Sequence, residues 1–176
     1  MRLKTSIESM KWLAMQGCAF RSHDESICSI NHDNFIELIK LQAKANKEIA
    51  KIVLENALEN CKYTSPMIQK ELLHILANKV RNKIREEVGD SKFCILVDEA
   101  LDESSKEQMA IILRYTDCKR FVQERFFQVV DVDDTNASAL KKEICNVLSH
   151  FNLLVENMRG QGYDGASNMR GEWNGL

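Results

Sequence analysis

The sequence has little proline and glycine, with one proline and seven glycines in 176 residues. This composition excludes collagen-like and most low-complexity classes. The sequence also lacks an apolar run of about 18 residues, so we predict no transmembrane helix and expect no membrane partner. The segment 1–4 is basic through Arg2 and Lys4, but no apolar stretch with a cleavage site follows it, so a secretory signal is not predicted.

An excess of either charge is also absent. Lysine and arginine number 24 and aspartate and glutamate 26, which gives a net charge of −2. Net charge therefore argues neither for nor against a nucleic-acid partner. At this length the chain can bury a sizeable core without a disulfide or a structural metal.

The six cysteines include no pair spaced C-x-x-C, which is typical of free thiols in the cytosol or the nucleus. Four zinc-ligand residue types do lie close together, namely Cys18, His23, Cys28 and His32. Their spacing lacks the short two-cysteine knuckle of most structural zinc sites. Scattered loop residues are therefore favoured over a zinc site.

Helical periodicity marks residues 1–90, which we predict to form a helical N-terminal region. One helix is predicted over residues 6–15. A second begins at Asn31 or Asp33, either of which is a good N-cap. A further amphipathic stretch runs from about residue 48 to 58.

The clearest predicted helix begins after Ser65, because serine is a good N-cap and Pro66 suits the first turn. Apolar residues then follow at steps of four, and Gly89 is placed to end the helix. The predicted outer face of this helix holds four cations, Lys79, Arg81, Lys83 and Arg85. A solvated face is the ordinary interpretation, and a face that follows a phosphate backbone is the alternative.

After residue 91 the periodicity changes to that of strands. A short apolar run at 93–97 predicts a buried strand, which is followed by an acidic, turn-like segment at 98–107. Two more strands are predicted over 108–115 and 121–132. The links between the three strands are too short for a crossover helix, so the strands should form an antiparallel meander.

A helix capped by one of residues 133–135 follows, and then a fourth short strand at 153–158. The order β-β-β-α-β allows the fourth strand to pair beside the first. The predicted class for residues 91–176 is therefore α+β or α/β with a mixed sheet.

Two carboxylates follow strands that this order makes neighbours. Asp98 comes after the first strand and Asp164 after the fourth, so both should lie past the same end of the sheet. Two adjacent carboxylates repel unless a cation is shared, and Mg²⁺ prefers such hard oxygen ligands. The alternative is that Asp98 begins a surface turn and Asp164 occupies a glycine-rich loop.

Three other site types fit less well. A haloacid-dehalogenase-like phosphatase needs Asp-x-Asp after its first strand, but position 100 is Ala100. A receiver-like domain alternates strands and helices, which the hairpin at 117–120 contradicts. The glycines of 160–165 form G-x-G-x-x-G, but this motif follows the fourth strand, and no acidic ribose partner can be found because the chain stops at Leu176.

Five motifs occur in an order that resembles a known family. They are FRSHDES at 20–26, NFIEL at 34–38, YTSP at 63–66, VDEALDESSKEQ at 97–108 and RGQGYDGASNM at 159–169. Together they resemble the hAT-like, transposase-derived proteins, in particular the domain of the MYM-type zinc finger protein 1-like and TTF-type zinc finger proteins. The resemblance covers nearly the whole chain.

The resemblance implies a ribonuclease H-like fold, incomplete over residues 91–176. In active hAT transposases two Asp and one Glu bind divalent metal and catalyse DNA strand cleavage and transfer. The two Asp correspond to Asp98 and Asp164, which implies Mg²⁺ or Mn²⁺ as the ancestral cofactor. The resemblance also implies DNA as a partner and a nuclear location; otherwise the cytoplasm is expected.

Two departures from the family pattern shape the functional hypothesis. Ala100 stands where the family often has Thr or Ser, and Glu172 is too close to Asp164 to be the family's distant Glu. The resemblance implies a homodimer for full-length members of the family, but their dimerisation region has no counterpart here. We therefore expect a truncated or domesticated remnant without strand-transfer activity of its own. The alternative is a non-catalytic DNA- or protein-binding module.

Overall fold

The computed structural model describes residues 1–21, 33–58, 61–101, 106–134 and 136–163. The helices are α1 (Arg2–Met15), α2 (Asn34–Ala45), α3 (Lys47–Ala50), α4 (Pro66–Val88) and α5 (Ala137–His150). The strands are β1 (Phe93–Leu101), β2 (Glu107–Thr116), β3 (Val122–Asp131) and β4 (Met158–Tyr163). Short 3₁₀ turns lie at Leu54–Asn56 and Val155–Asn157. Among the described helices, none has the length and hydropathy that crossing a bilayer requires.

The chain divides into two compact units, Met1–Ala77 and Asn78–Leu176, with the division inside α4. The predicted division into 1–90 and 91–176 follows the change in secondary-structure type and stays a prediction. The first unit has a small core, made of Met10, Leu13, Phe35, Ile39 and Val53.

The helix start predicted at Asn31 or Asp33 is confirmed at Asp33. The Asp33 carboxylate accepts hydrogen bonds from the backbone N–H of Phe35 (2.7 Å) and of Ile36 (3.3 Å). It thereby satisfies two donors that have no partner within the helix. Asn31 lies outside the described residues.

The amphipathic stretch predicted from 48 to 58 is not one helix. Helix α3 ends at Ala50, and the chain continues as a turn in which Leu54 has a φ of +53°. The side-chain amide of Asn56 donates to the Ala50 carbonyl oxygen at 2.8 Å. This local bond replaces the next helical partner of that carbonyl, so the polar side chain competes with the helix.

Helix α4 confirms its predicted boundaries. The hydroxyl of Ser65 accepts from the backbone N–H of Ile68 at 3.4 Å, and Gly89 has a φ of +54° directly after the last turn. That conformation is easily adopted by glycine and ends the helix.

The four strands form one sheet in the order β3-β2-β1-β4. Strands β1, β2 and β3 pair antiparallel, and β4 pairs parallel to β1. The predicted meander and the predicted position of the fourth strand beside the first are both confirmed.

Two predicted strand boundaries were wrong. Strand β1 does not stop at Val97 but continues to Leu101, because its ladder with β2 extends to the pair Leu101–Glu107. Asp98 therefore lies inside the strand, opposite Ala110, and not in a turn after it.

The fourth strand spans 158–163 instead of 153–158, because a 3₁₀ turn occupies Val155–Asn157. The glycine-rich motif thus begins as a strand. A Cβ on Gly162 would lie 2.8 Å from Cδ2 of Leu96, so a larger residue there would require the Leu96 side chain to shift.

The core of the second unit lies between one face of the sheet and two helices. Buried side chains of β1 and β2 meet Ile84 and Val88 of α4 and four residues of α5, Leu140, Ile144, Val147 and Leu148. Burial of each such side chain contributes about 1.5–3 kcal/mol.

A β-bulge shifts the alternation of β3. Strict alternation predicts Phe127 and Val130 on opposite faces. The ladder pairs Ile111 with Gln128 and Ile112 with Phe126, so Phe127 is an extra residue. As a result Phe127 is buried and Val130 packs against the same core.

The N-cap of α5 is Asn136, not one of residues 133–135. Its Oδ1 accepts from the backbone N–H of Ala139 at 2.8 Å, while the Asp134 carboxylate accepts from the Asn136 backbone N–H. Thr135 lies outside the described residues.

We expect Asn136→Ala to lower the free energy of unfolding by about 1 kcal/mol, because the α5 cap is lost. Asp133 was an equally good N-cap candidate by sequence, and Asp133→Ala should change the free energy of unfolding by less than about 0.5 kcal/mol. Urea unfolding followed by circular dichroism measures both. Equal losses in the two variants would contradict the assignment of the cap.

Candidate functional site

Asp98 lies near the end of the central strand β1 and is exposed. Its neighbour Val97 points to the opposite side and is buried in the core. The Asp98 side chain forms no hydrogen bond or ion pair with any other described residue. Its two oxygens are thus available to a ligand from solvent.

The second predicted carboxylate, Asp164, lies outside the described residues. The parallel ladder runs as far as the pair Val97–Tyr163. These two residues directly precede Asp98 and Asp164 in the sequence. The pairing of the two carboxylates, and the metal that they would bind, stay predictions. Over the described ranges, no group of three or more His, Cys, Asp or Glu side chains is arranged to hold a metal ion.

Tyr163 is a residue at this edge that the sequence analysis missed. Its hydroxyl is buried and has no hydrogen-bond partner among the described residues. Burial also raises the pKa of Tyr163 above its ordinary value, because the charged form loses hydration. The parallel register of β1 and β4 reveals this residue, because it aligns Tyr163 with the buried Val97.

The four cations of α4 do not form one outer face, which corrects the predicted arrangement. Successive residues of a helix are about 100° apart, so steps of two place side chains on nearly opposite sides. Lys79 and Lys83 are exposed, and Lys83 pairs with Glu86 at 3.1 Å. Arg81 and Arg85 are half-buried.

Arg81 supports the β-bulge of β3. Its Nε donates to the carbonyl oxygen of Phe127 at 3.1 Å, and its Nη1 donates to Oδ1 of Asn78 at 2.8 Å. Phe127 is the extra residue of the bulge, so its carbonyl has no regular ladder partner. Arg81 thus has a structural role that its sequence position did not reveal.

Arg85 has a similar role at the ends of α4 and α5. Its Nε donates to the carbonyl oxygens of Phe151 (3.0 Å) and Asn152 (3.1 Å), and its Nη1 donates to that of Gly89 (2.8 Å). Helix C-termini leave such carbonyls without helical partners. DNA binding by the four cations stays a prediction.

Of the four residue positions considered as zinc ligands, Cys18 lies among the described residues. Its thiol lies 3.9 Å from the carbonyl oxygen of Gln16. His23, Cys28 and His32 lie outside the described residues.

Comparison with known proteins gives a family match and related proteins from human and mouse. A family described as DUF4371, the ZMYM1/FAM200 RNase-like domain, matches residues 1–175. The chain is 26% identical over 133 residues to the human protein named 52 kDa repressor of the inhibitor of the protein kinase, and 24% identical over 132 residues to the mouse protein of that name. Each match covers 74% of this chain and 17% of the relative. Together with the helices and the mixed sheet, the family match confirms the predicted α+β, ribonuclease H-like fold.

We expect Arg81→Ala to lower the free energy of unfolding by about 1–3 kcal/mol, because the bulge carbonyl loses a charged donor. Lys79→Ala, on the exposed side of the same helix, should change it by less than about 0.5 kcal/mol. Thermal and urea unfolding measure both effects. An Arg81→Ala variant as stable as the parent would show that the bulge does not depend on this contact.

Proposed function

Because the chain belongs to the ZMYM1/FAM200 RNase-like domain family, we propose that it is a domesticated remnant of a hAT-family DNA transposase. In this proposal Asp98 and Asp164 are the retained metal-binding carboxylates, and the chain has no strand-transfer activity of its own. The family match also confirms the resemblance to the MYM-type zinc finger protein 1-like proteins that the motifs indicated.

The observation that carries the proposal is the parallel pairing of β1 with β4. In two parallel strands, the residues that directly follow a matched pair are neighbours wherever the pairing continues. The last described pair, Val97–Tyr163, directly precedes the two aspartates in the sequence. The exposure of Asp98 and its lack of a partner in the described part of the chain further support a ligand role.

The donor set suits a hard divalent cation. Asp98 and Asp164 would hold Mg²⁺ or Mn²⁺ through carboxylate oxygens, with water in the remaining positions. When bound in such a site, these ions supply an activated water and stabilise the leaving oxygen of a phosphodiester. Asp98 itself contributes a fixed anchor, because it stands on an inner strand of the sheet.

We expect Mn²⁺ to bind the parent chain saturably and to bind Asp98→Asn and Asp164→Asn at least about tenfold more weakly, a loss of about 1.4 kcal/mol. Water-proton relaxation during a Mn²⁺ titration measures the affinity.

Asp131→Asn is the matched control, because Asp131 is an exposed strand carboxylate of the same sheet. It should bind Mn²⁺ like the parent. A parent that binds no Mn²⁺, or equal weakening in all three variants, would reject the metal pair.

The second candidate function is a non-catalytic binding module in the nucleus, with DNA as the partner. Lys79 and Lys83 favour it, because they lie one helical turn apart and both are exposed. The human and mouse relatives are named as repressors, and we extend a nuclear repressor role to this chain as part of this proposal.

We expect the double variant Lys79→Glu/Lys83→Glu to reduce the salt dependence of DNA binding by about two counterions, since each lysine contacts about one phosphate. Fluorescence anisotropy of a labelled duplex over a salt series measures the slope. Lys141→Glu/Lys142→Glu, on the exposed side of α5, is the control with the same change of charge. Equal slopes for the two double variants would count against the lysines of α4.

A further inference from the structure

A polar cavity of about 440 Å³ lies in the second unit, and Asp98 does not line it. Its lining comes from two helices and the turn after α5, and consists of Asn78, Asn82, Arg85, His150, Phe151 and Asn152. We call it the α4–α5 cavity. The two asparagines and Arg85 follow one another at steps of four and three, so they share one side of α4.

The cavity holds a positive charge that no described carboxylate neutralises. The hydrogen bonds of Arg85 go to the backbone carbonyls of Gly89, Phe151 and Asn152. These dipoles hold the guanidinium in place, but they do not cancel its charge. None of the six lining residues is acidic. A half-buried, preorganised cation of this kind attracts an anion.

The guanidinium also retains unused donors. It has five N–H groups, of which the Nε hydrogen and one Nη1 hydrogen make the contacts to carbonyls. The remaining N–H groups belong to the fork that binds two oxygens of a carboxylate or phosphate.

The amide of Asn78 has a fixed orientation. Its Oδ1 accepts from Nη1 of Arg81 at 2.8 Å, so its NH₂ group is the part left to donate. Asn82, one turn further along α4, is exposed and makes no side-chain hydrogen bond within the described ranges. The cavity therefore offers several donors around one cation.

The opposite wall is aromatic. The ring of His150 meets the ring of Phe151 edge-on at 4.8 Å, and Phe151 meets Phe127 at the same distance. These contacts hold the imidazole at the cavity, where its ring nitrogens can contact an oxyanion and its face can contact a planar group.

We propose that the α4–α5 cavity binds a phosphate monoester through the Arg85 guanidinium and the amides of Asn78 and Asn82. Its volume falls in the range of small-molecule sites, about 300–1,000 Å³, so it admits more than a bare phosphate. The phosphate comes either from a free nucleotide or from the 5′-phosphate of a DNA strand. The proposal does not depend on the metal pair of the proposed function.

The test is a titration of the full chain with inorganic phosphate, dAMP, and a 5′-phosphorylated or 5′-hydroxyl oligonucleotide. It is done in EDTA, so that the outcome is independent of a metal at Asp98. Nitrogen-15 NMR signals of the side-chain amides of Asn78 and Asn82 report binding at the cavity. We expect saturable shifts with inorganic phosphate and with dAMP.

Asn82→Asp places a carboxylate in the cavity without changing side-chain size, and it should weaken phosphate and dAMP binding at least about tenfold. Asn146→Asp makes the same change on the exposed side of α5, outside the cavity, and should bind like the parent. These variants are preferred to Arg85→Gln, which would remove the contacts at the end of α5.

The oligonucleotide arms distinguish the two sources of phosphate. Tighter binding of the 5′-phosphorylated strand than of dAMP, with no binding of the 5′-hydroxyl strand, identifies a strand end; the reverse order identifies a free nucleotide. No saturable amide shift in the parent, or equal weakening by Asn82→Asp and Asn146→Asp, would overturn the proposal.

Discussion

The structure of the second unit depends on the pairing of β1 with a neighbour on each side. Antiparallel β2 extends β1 to Leu101, and parallel β4 ends its described pairing at Val97–Tyr163. The parallel neighbour requires a crossover, which α5 supplies while it covers the core face of the sheet. Asp98 owes its fixed place to its pairing with Ala110 of β2 and to the preceding residue, Val97, which is paired on both sides.

Two charged side chains of α4 support irregular backbone. Arg81 and Arg85 use their guanidinium groups to bind backbone carbonyls at two irregular places, the bulge of β3 and the end of α5. Both places leave carbonyls without regular partners, and a buried unpaired carbonyl is costly. Arginine suits this role because it offers several donors in a fixed plane. The uncancelled charge of Arg85 is what makes the neighbouring cavity a candidate for an anion.

Much of the fold was predictable from local patterns. Ser65 and Gly89 bound α4 as predicted, and the short links between strands correctly gave a meander. The errors fall where a polar side chain or a backbone irregularity sets the end of an element or the direction of a side chain. Asn56 bonds back to Ala50, Asn136 rather than its neighbours caps α5, and the bulge at Phe127 changes the parity of β3. None of these follows from hydrophobic periodicity, because each depends on which nearby carbonyl or N–H remains unpaired.

Periodicity, capping residues and motifs were enough to predict most of the element types, their order and the family. The sequence also singled out Asp98 and the cations of α4. Three-dimensional contacts place Asp98 within a strand, turn Arg81 and Arg85 toward backbone carbonyls and leave Lys79 and Lys83 facing solvent. The sequence could not reveal these features, because strand length and side-chain direction are set by partners distant in the sequence. A ladder ends where its neighbour ends, and an arginine turns toward the carbonyl that would otherwise lack a donor.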